Sequence, residues 1–420
     1  MLPNIILFLT IVRPIVDMLV NVNISPSVNM GQLWGVLIII LSILYILQRG
    51  SLLMKSSLHI PLLILFLFFL VAFMSGEDKL LCLSILLKYI SWSLSFVVLF
   101  DIFSRQEYFL LFERNLPRMG WTVVIIYFAV IAISYQLGGH VVSNMLGHNI
   151  YNYRQETLFK GPFPHAHAAS FVSFCFVVFI FLRKRDYAWR ISDALLVGGF
   201  AAIILLTMTR SGMLAALLFF LLTLRKNKLV VLACSVLLIY LTVSFVGGDV
   251  FGVRLFKEYD LISSGKRGYE SLGSGRLGMW KAVLTFFSDQ HALNMLFGSG
   301  LDADMVATKM YFYERGAHND FLYLMVATGF LSLLLFIFIL HLIMKLFWAI
   351  RDNTATIFNA FFWSALLFMM TQGLVQSLGM FYFMVIVAYS YYATQFDNTV
   401  EIPLAKGNDG DGMSAGYING

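Results

Sequence analysis

The sequence predicts an all-α integral membrane protein with about twelve transmembrane helices and one large loop on the outer side. Three observations carry this. Hydrophobic residues make up 60% of the 420 positions and charged residues only 12%. Mean hydropathy is +0.82. The apolar residues also fall into runs of the length a helix needs to cross hydrocarbon, about 20 residues. Soluble domains carry roughly 45–50% apolar and about 25% charged residues, so lipid must solvate much of this surface.

The runs lie near 2–20, 31–48, 58–74, 80–100, 120–137, 165–182, 192–208, 211–224, 229–247, 318–344, 355–372 and 377–394. The pair 192–208 and 211–224 reads either as one bent element or as a tight hairpin. This divides the chain into nine spans with short loops over 1–247, an outer loop subdomain over 248–317, and three spans over 318–394. The polar tail 395–420 reads as disordered. The first run holds Arg13 and Asp17 and lacks a cleavage site, so it reads as a membrane helix rather than a signal peptide. Arg13 and Asp17 share a helix face and are placed to pair.

Basic residues set the orientation. With the N-terminus inside, the inner segments hold Arg49, Lys55, Arg105, Arg114, Arg118, Arg183, Lys184, Arg185, Arg190, Arg225, Lys226, Lys228, Lys345, Arg351 and Lys406. The short outer loops hold only Lys79, Arg154, Lys160 and Arg210. That bias places both termini in the cytoplasm. The net charge of +6 is therefore a topology signal and not a nucleic-acid surface. Cys82, Cys175 and Cys234 all lie in apolar runs and suggest neither a disulfide framework nor a metal cluster.

Two outer segments stand apart, 138–164 and 248–317. In the second, apolar residues at Leu277, Trp280, Val283, Leu284 and Phe287 mark an amphipathic helix over 276–297. Ser274 is its candidate N-cap, and Gly298-Ser299-Gly300 its stop.

Charge at the outer half of a membrane is costly and marks function by default. Arg210, between two apolar runs, is either a topology-setting cation or a fork for a phosphate group. Arg276 opens the amphipathic helix, where a cation opposes the macrodipole unless an anion binds there. His318, at the head of the next apolar run, is expected in a helix's first turn. There the imidazolium is disfavoured and a neutral ring can act as base; alternatively it is an interfacial residue beside a cap made by Asn319 or Asp320. Asp302 and Asp304 are the nearest approach to a metal-binding carboxylate pair. His165 and His167, two apart on a helix, face different ways. Lys88 reads as a snorkelling lysine.

Taken together, these segments resemble the O-antigen polymerases and ligases, membrane glycosyltransferases of the Wzy and WaaL type. TRSG follows an outward helix, GSGRLGMW opens the large loop, LFGSGLD lies in its middle, and AHNDFLYLMVATGF enters the next span. The resemblance covers roughly residues 150–345. It implies a GT-C-like enzyme that needs no metal or other cofactor and works at the periplasmic face of a bacterial inner membrane. Its donor would be an undecaprenyl-diphosphate-linked glycan. Arg210 and Arg276 would hold the leaving diphosphate, and His318 would take the acceptor's proton. Arg154, Arg254, Arg315 and Asn319 are the further substrate-binding candidates. A chain-length-determining co-polymerase is the expected protein partner. A polymerase is the first expectation, with a ligase to lipid A–core as the alternative. A flippase for the same carrier is the reading from another class, and the absence of paired halves in the sequence speaks against it.

Overall fold

The computed structural model describes residues 1–20, 23–25, 28–50, 57–136, 150–153, 156–159, 161–185, 189–207, 209–223, 263, 272–311, 316–348, 353–375, 377 and 379–396. Apolar sequence becomes helix here because, in lipid, only internal hydrogen bonding can satisfy the backbone. Among the described residues the helices are α1 (Leu2–Met18), α2 (Met30–Arg49), α3 (His59–Ser75), α4 (Lys79–Phe103), α5 (Gln106–Gln136), α6 (Ala166–Arg183), α7 (Ile191–Leu206) and α8 (Arg210–Thr223). They continue with α9 (Leu272–Ser288), α10 (Ala292–Phe297), α11 (Ala303–Tyr311), α12 (Asp320–Ala327), α13 (Phe330–Trp348), α14 (Asn353–Thr371) and α15 (Gly379–Phe396). Two short antiparallel hairpins are the departure from helix: β1 (Asn23–Ser25) with β2 (Val28–Asn29), and β3 (Ile150–Tyr153) with β4 (Glu156–Phe159).

Six of these helices, α2, α4, α5, α6, α13 and α14, are long and apolar enough to cross a membrane; α3, α7 and α8 are shorter apolar helices. The expected span at 229–247 lies outside the described residues. Helix α5 begins fourteen residues before the apolar run that announced it, and its 31 residues extend about 46 Å. At 207–209 the chain reverses. Asp193 at the start of α7 pairs with Lys184 at the end of α6 (2.7 Å), while the start of α8 meets the opposite end of α6, where Gly212 lies against Ser170. The hairpin alternative therefore holds.

Each end of the bundle has its own chemistry. At one end Asp101 accepts from Tyr45 (2.7 Å) with Arg49 and Arg105 beside it, Asp193 lies between Lys184 and Arg183, and Glu113 meets Arg185 and Tyr389. All these cations were assigned to one side by the basic bias. In the apolar interior, Arg13 and Asp17 form the expected pair (2.7 Å), both about 1% exposed. Tyr382 donates to Asp17 (2.6 Å), and the Arg13 guanidinium lies 3.8 Å from the centre of the Trp34 ring.

The opposite end carries the loop helices. Two expectations are corrected here. The amphipathic stretch 276–297 is two helices, α9 and α10, broken at Asp289–His291. The span expected at 318–344 is likewise broken, at Thr328-Gly329, into α12 and α13. A helix break strands carbonyl groups, and the Gly298-Ser299-Gly300 run satisfies two of them. Ser299 N–H donates to Val326 O (3.0 Å) and Gly300 N–H to Ala327 O (3.2 Å). The approach is so close that a Cβ at Gly298 (φ +95°) would strike the Ala327 carbonyl, and one at Gly329 (φ +91°) the Leu296 carbonyl. The same run reaches the first half of the chain: Leu301 N–H donates to Ala72 O (3.3 Å), and Asp302 accepts from the amides of Glu77 (3.2 Å) and Asp78 (2.6 Å). Val283, Ala303, Ala307, Ala317 and Val326 form a small apolar cluster that packs α9 and α11 onto α12.

Candidate functional site

His318 sits between two fixed points. Ala317 before it is fully buried; its N–H donates to Asp304 Oδ2 (2.9 Å), and its carbonyl accepts from Trp280 Nε1 (3.0 Å). Asn319 after it is the N-cap of α12, its Oδ1 accepting from the amides of Phe321 (3.0 Å) and Leu322 (3.2 Å). His318 itself is exposed, with φ +49°, a left-handed conformation that no other described non-glycine residue adopts. Such conformations persist where the surroundings enforce them, often at functional positions. The imidazole thus precedes α12 instead of lying in its first turn, because Asn319 takes the cap.

Trp280 connects this segment to Arg276. The two are four residues apart on α9 and share a face, so Arg276 lies one helical turn from the side chain bonded to Ala317. Arg276 is partly exposed. Helix α9 begins at Leu272, which puts Arg276 in its second turn and makes Ser274 a helical residue rather than the cap. The macrodipole argument at this position weakens accordingly, since that field fades within the first turn.

Arg210 is the first residue of α8 and is also partly exposed. Its neighbours Thr209 and Ser211 are each 2% exposed. Gly212 lies so close to Ser170 that a side chain there would overlap the Ser170 hydroxyl, which holds the start of α8 against α6. Ser211 Oγ accepts from Gln372 Nε2 (2.6 Å), just past the end of α14. The chain then turns at Gly373 (φ +75°), and the amides of Leu374 (2.6 Å) and Val375 (2.9 Å) donate to the carboxylate of Asp320. Asp320 is fully buried and is the first residue of α12, two after His318.

An unbroken path of covalent and hydrogen bonds therefore runs from Arg210 through Ser211, Gln372, Leu374, Asp320 and Ala317 to Trp280 and Arg276. It ties the backbones bearing Arg210, His318 and Arg276 to the same end of the bundle, away from the clusters at Asp101, Asp193 and Glu113. His318 is exposed and Arg210 and Arg276 are partly exposed, and Asp302, Asp304 and Asp320 accept from backbone amides. Two cations and an imidazole, were they to meet, have the chemistry to bind an anionic group and accept a proton beside it.

Arg154, Arg254 and Arg315 lie outside the described residues. Asn319 has its side-chain oxygen engaged in the cap. Asp302 and Asp304 both bind backbone amides, and no cluster of three or more potential metal ligands occurs among the described residues. Sequence reasoning missed Trp280, Gln372 and Asp320 as site-building residues. Trp280 was read only as part of an apolar face. An acid at a helix start is ordinary, and Gln372 gave no periodic signal.

Residues 194–337 match a family model, Wzy_C, described as O-antigen ligase. The matched stretch runs from α7 into α13 and contains Arg210, Arg276, His318 and Asp320; Gln372 lies beyond it. The resemblance to O-antigen polymerases and ligases is thus met over the middle of the chain. The match supports glycosyl transfer of that general type without separating polymerase from ligase. A search among curated proteins gave no match.

Proposed function

We propose that the protein is a membrane glycosyltransferase that polymerises undecaprenyl-diphosphate-linked oligosaccharide repeat units at the periplasmic face of a bacterial inner membrane. The observation that carries this reading is the bonded path joining the backbones of Arg210, His318 and Arg276. It supports a shared site for residues up to 108 positions apart in the chain.

In this mechanism His318 takes the proton from an acceptor sugar hydroxyl as the oxygen attacks the anomeric carbon of the donor. The bond from that carbon to the diphosphate breaks, its electron pair leaves with the diphosphate, and the configuration inverts. Arg210 and Arg276 neutralise the charge that develops on the leaving group, the interaction that gains most in the transition state. Their forked guanidinium groups suit phosphate oxygens better than a point charge does. Asn319 and the arginines at 154, 254 and 315 belong to the substrate surface in this reading, and a chain-length-determining co-polymerase is its partner.

The description of the family model favours a second reading, in which the same donor glycan is passed to lipid A–core. Purified protein in vesicles with lipid-linked repeats separates the two. Chain growth without added core glycolipid supports the polymerase, while product formed only when that glycolipid is present supports the ligase. His318→Ala abolishes product in either case. Transfer at the wild-type rate by that variant, or transbilayer movement of the carrier without any transfer by the parent, would overturn the catalytic assignment.

A further inference from the structure

Most of the path between Arg210 and His318 consists of groups that the proposed chemistry does not use. Gln372 and Asp320 both lie within it. Asp320 has no exposed surface, and its two oxygens accept from two successive amides, Leu374 at 2.6 Å and Val375 at 2.9 Å. Those amides follow directly on Gln372, whose side chain donates to Ser211 beside Arg210 (2.6 Å). The carboxylate is two residues from His318. A single side chain, Asp320 on one side and Gln372 on the other, therefore links each catalytic segment to the turn at 373–375.

We infer that Asp320 and Gln372 are positioning residues that set the spacing between the His318 base and the Arg210 guanidinium through the turn at 373–375. The inference rests on the transferase reading above. Three features support it. First, a buried carboxylate is costly without hydrogen-bond donors, and these two amides supply them, with no cation in ion-pair contact among the described residues. Second, Gly373 at φ +75° keeps the turn in a conformation that side-chain-bearing residues avoid, and a Cβ there would come within 3.4 Å of Asp320 Oδ1. The turn is thus shaped around the carboxylate. Third, α12 has only eight residues and is separated from α13 by a break, so it lacks the continuous helix that would otherwise fix its orientation. The Ser299 and Gly300 amides hold its far end, and the anchor at its first residue fixes the end next to His318.

The consequence is specific. Loss of the anchor lets the base drift relative to the diphosphate clamp, and a displacement of about 1 Å costs up to roughly 100-fold in rate. Donor binding depends on the arginines and suffers less. The effect therefore falls on kcat rather than KM.

The test measures kcat and donor KM in proteoliposomes for wild type, Asp320→Asn, Asp320→Ala, Gln372→Ala and the double variant Asp320→Ala/Gln372→Ala. Monodispersity and Tm in detergent report the folded fraction. Asp320→Ala is expected to lower kcat by about 100-fold with KM within about 3-fold. Asp320→Asn, which retains one acceptor oxygen, is expected to recover part of that loss. The double variant should be no slower than Asp320→Ala alone, since both residues act through one turn. Additive losses, a rise in KM at unchanged kcat, or a loss that merely follows the folded fraction would overturn the inference. Gln372→Ala, which leaves α12 anchored, keeps the test decisive if Asp320→Ala does not fold. A wild type that transfers nothing refutes the transferase reading and this inference with it. An active wild type beside an equally active Asp320→Ala refutes the positioning role alone.

Discussion

The seal between the glycine run and the broken helix makes a sharp prediction for Gly329→Ala. Gly329 has φ +91°, and an added Cβ would strike the Leu296 carbonyl and lie 2.6 Å from Gly298 N. Both neighbours are backbone, so neither can swing aside. A side chain in left-handed territory costs about 1–2 kcal/mol. Relieving the clash separates the glycine run from the helix break, and each buried amide or carbonyl then left unsatisfied costs roughly 1–3 kcal/mol. With the Ser299–Val326 bond (3.0 Å) and the Gly300–Ala327 bond (3.2 Å) at risk, leaving one of their four polar groups unsatisfied gives a total of about 2–5 kcal/mol. Equilibrium unfolding in mixed micelles, followed by tryptophan fluorescence, measures it. Gly35 and Gly198 are the internal controls, as nothing lies within 4 Å of a Cβ at either. Alanine there is expected to be neutral or to stabilise by up to about 1 kcal/mol. A Gly329→Ala variant as stable as these controls would refute the account of the seal.

Asp17→Ala strands the Arg13 guanidinium, 1% exposed, and should cost about 3–5 kcal/mol in the same unfolding assay; Arg13→Leu/Asp17→Leu should recover most of it. Arg210→Lys should lower turnover by about 100-fold in the vesicle assay, because a point charge cannot reproduce the fork; near-normal turnover would remove Arg210 from the diphosphate clamp. Asp302→Ala frees the amides of Glu77 and Asp78 and should destabilise by about 1–3 kcal/mol. Limited proteolysis should then cut first in the segment 76–78.

The sequence made the bundle legible because lipid imposes one rule on every span: apolar length equals helix. Where a second demand enters, that rule loses resolution. Helix α5 extends back through Glu113, Arg114, Pro117 and Arg118, which read as loop because they are charged or break helices; Glu113 is in fact held by Tyr389 of α15 (2.9 Å) and by Arg185 just past the end of α6 (3.7 Å). The break at Thr328-Gly329 was hidden for the opposite reason. Both residues are tolerated in a helix, and the apolar run continues across them. Only the tertiary hydrogen bonds from Ser299 and Gly300 show why the helix stops. The candidate site divides in the same way. His318, Arg210 and Arg276 stood out because charge near lipid is rare. Asp320, Gln372 and Trp280 did not, because their work is to bond to distant backbone, and such pairings leave no local pattern.

The clamp from Asp302 to the segment 76–78 has a consequence for anyone recombining related chains. The docking is read through peptide groups: two amides meet a carboxylate, the amide of Leu301 meets the carbonyl of Ala72, and Gly300 rests on Gly76 with no room for a Cβ. What the early half must supply is a glycine and a chain path, whatever side chain stands at 77, with Asp78 kept as the N-cap of α4. Two foreign halves should accordingly graft onto one another across this joint despite divergent residues, provided that both glycines and both aspartates travel with them.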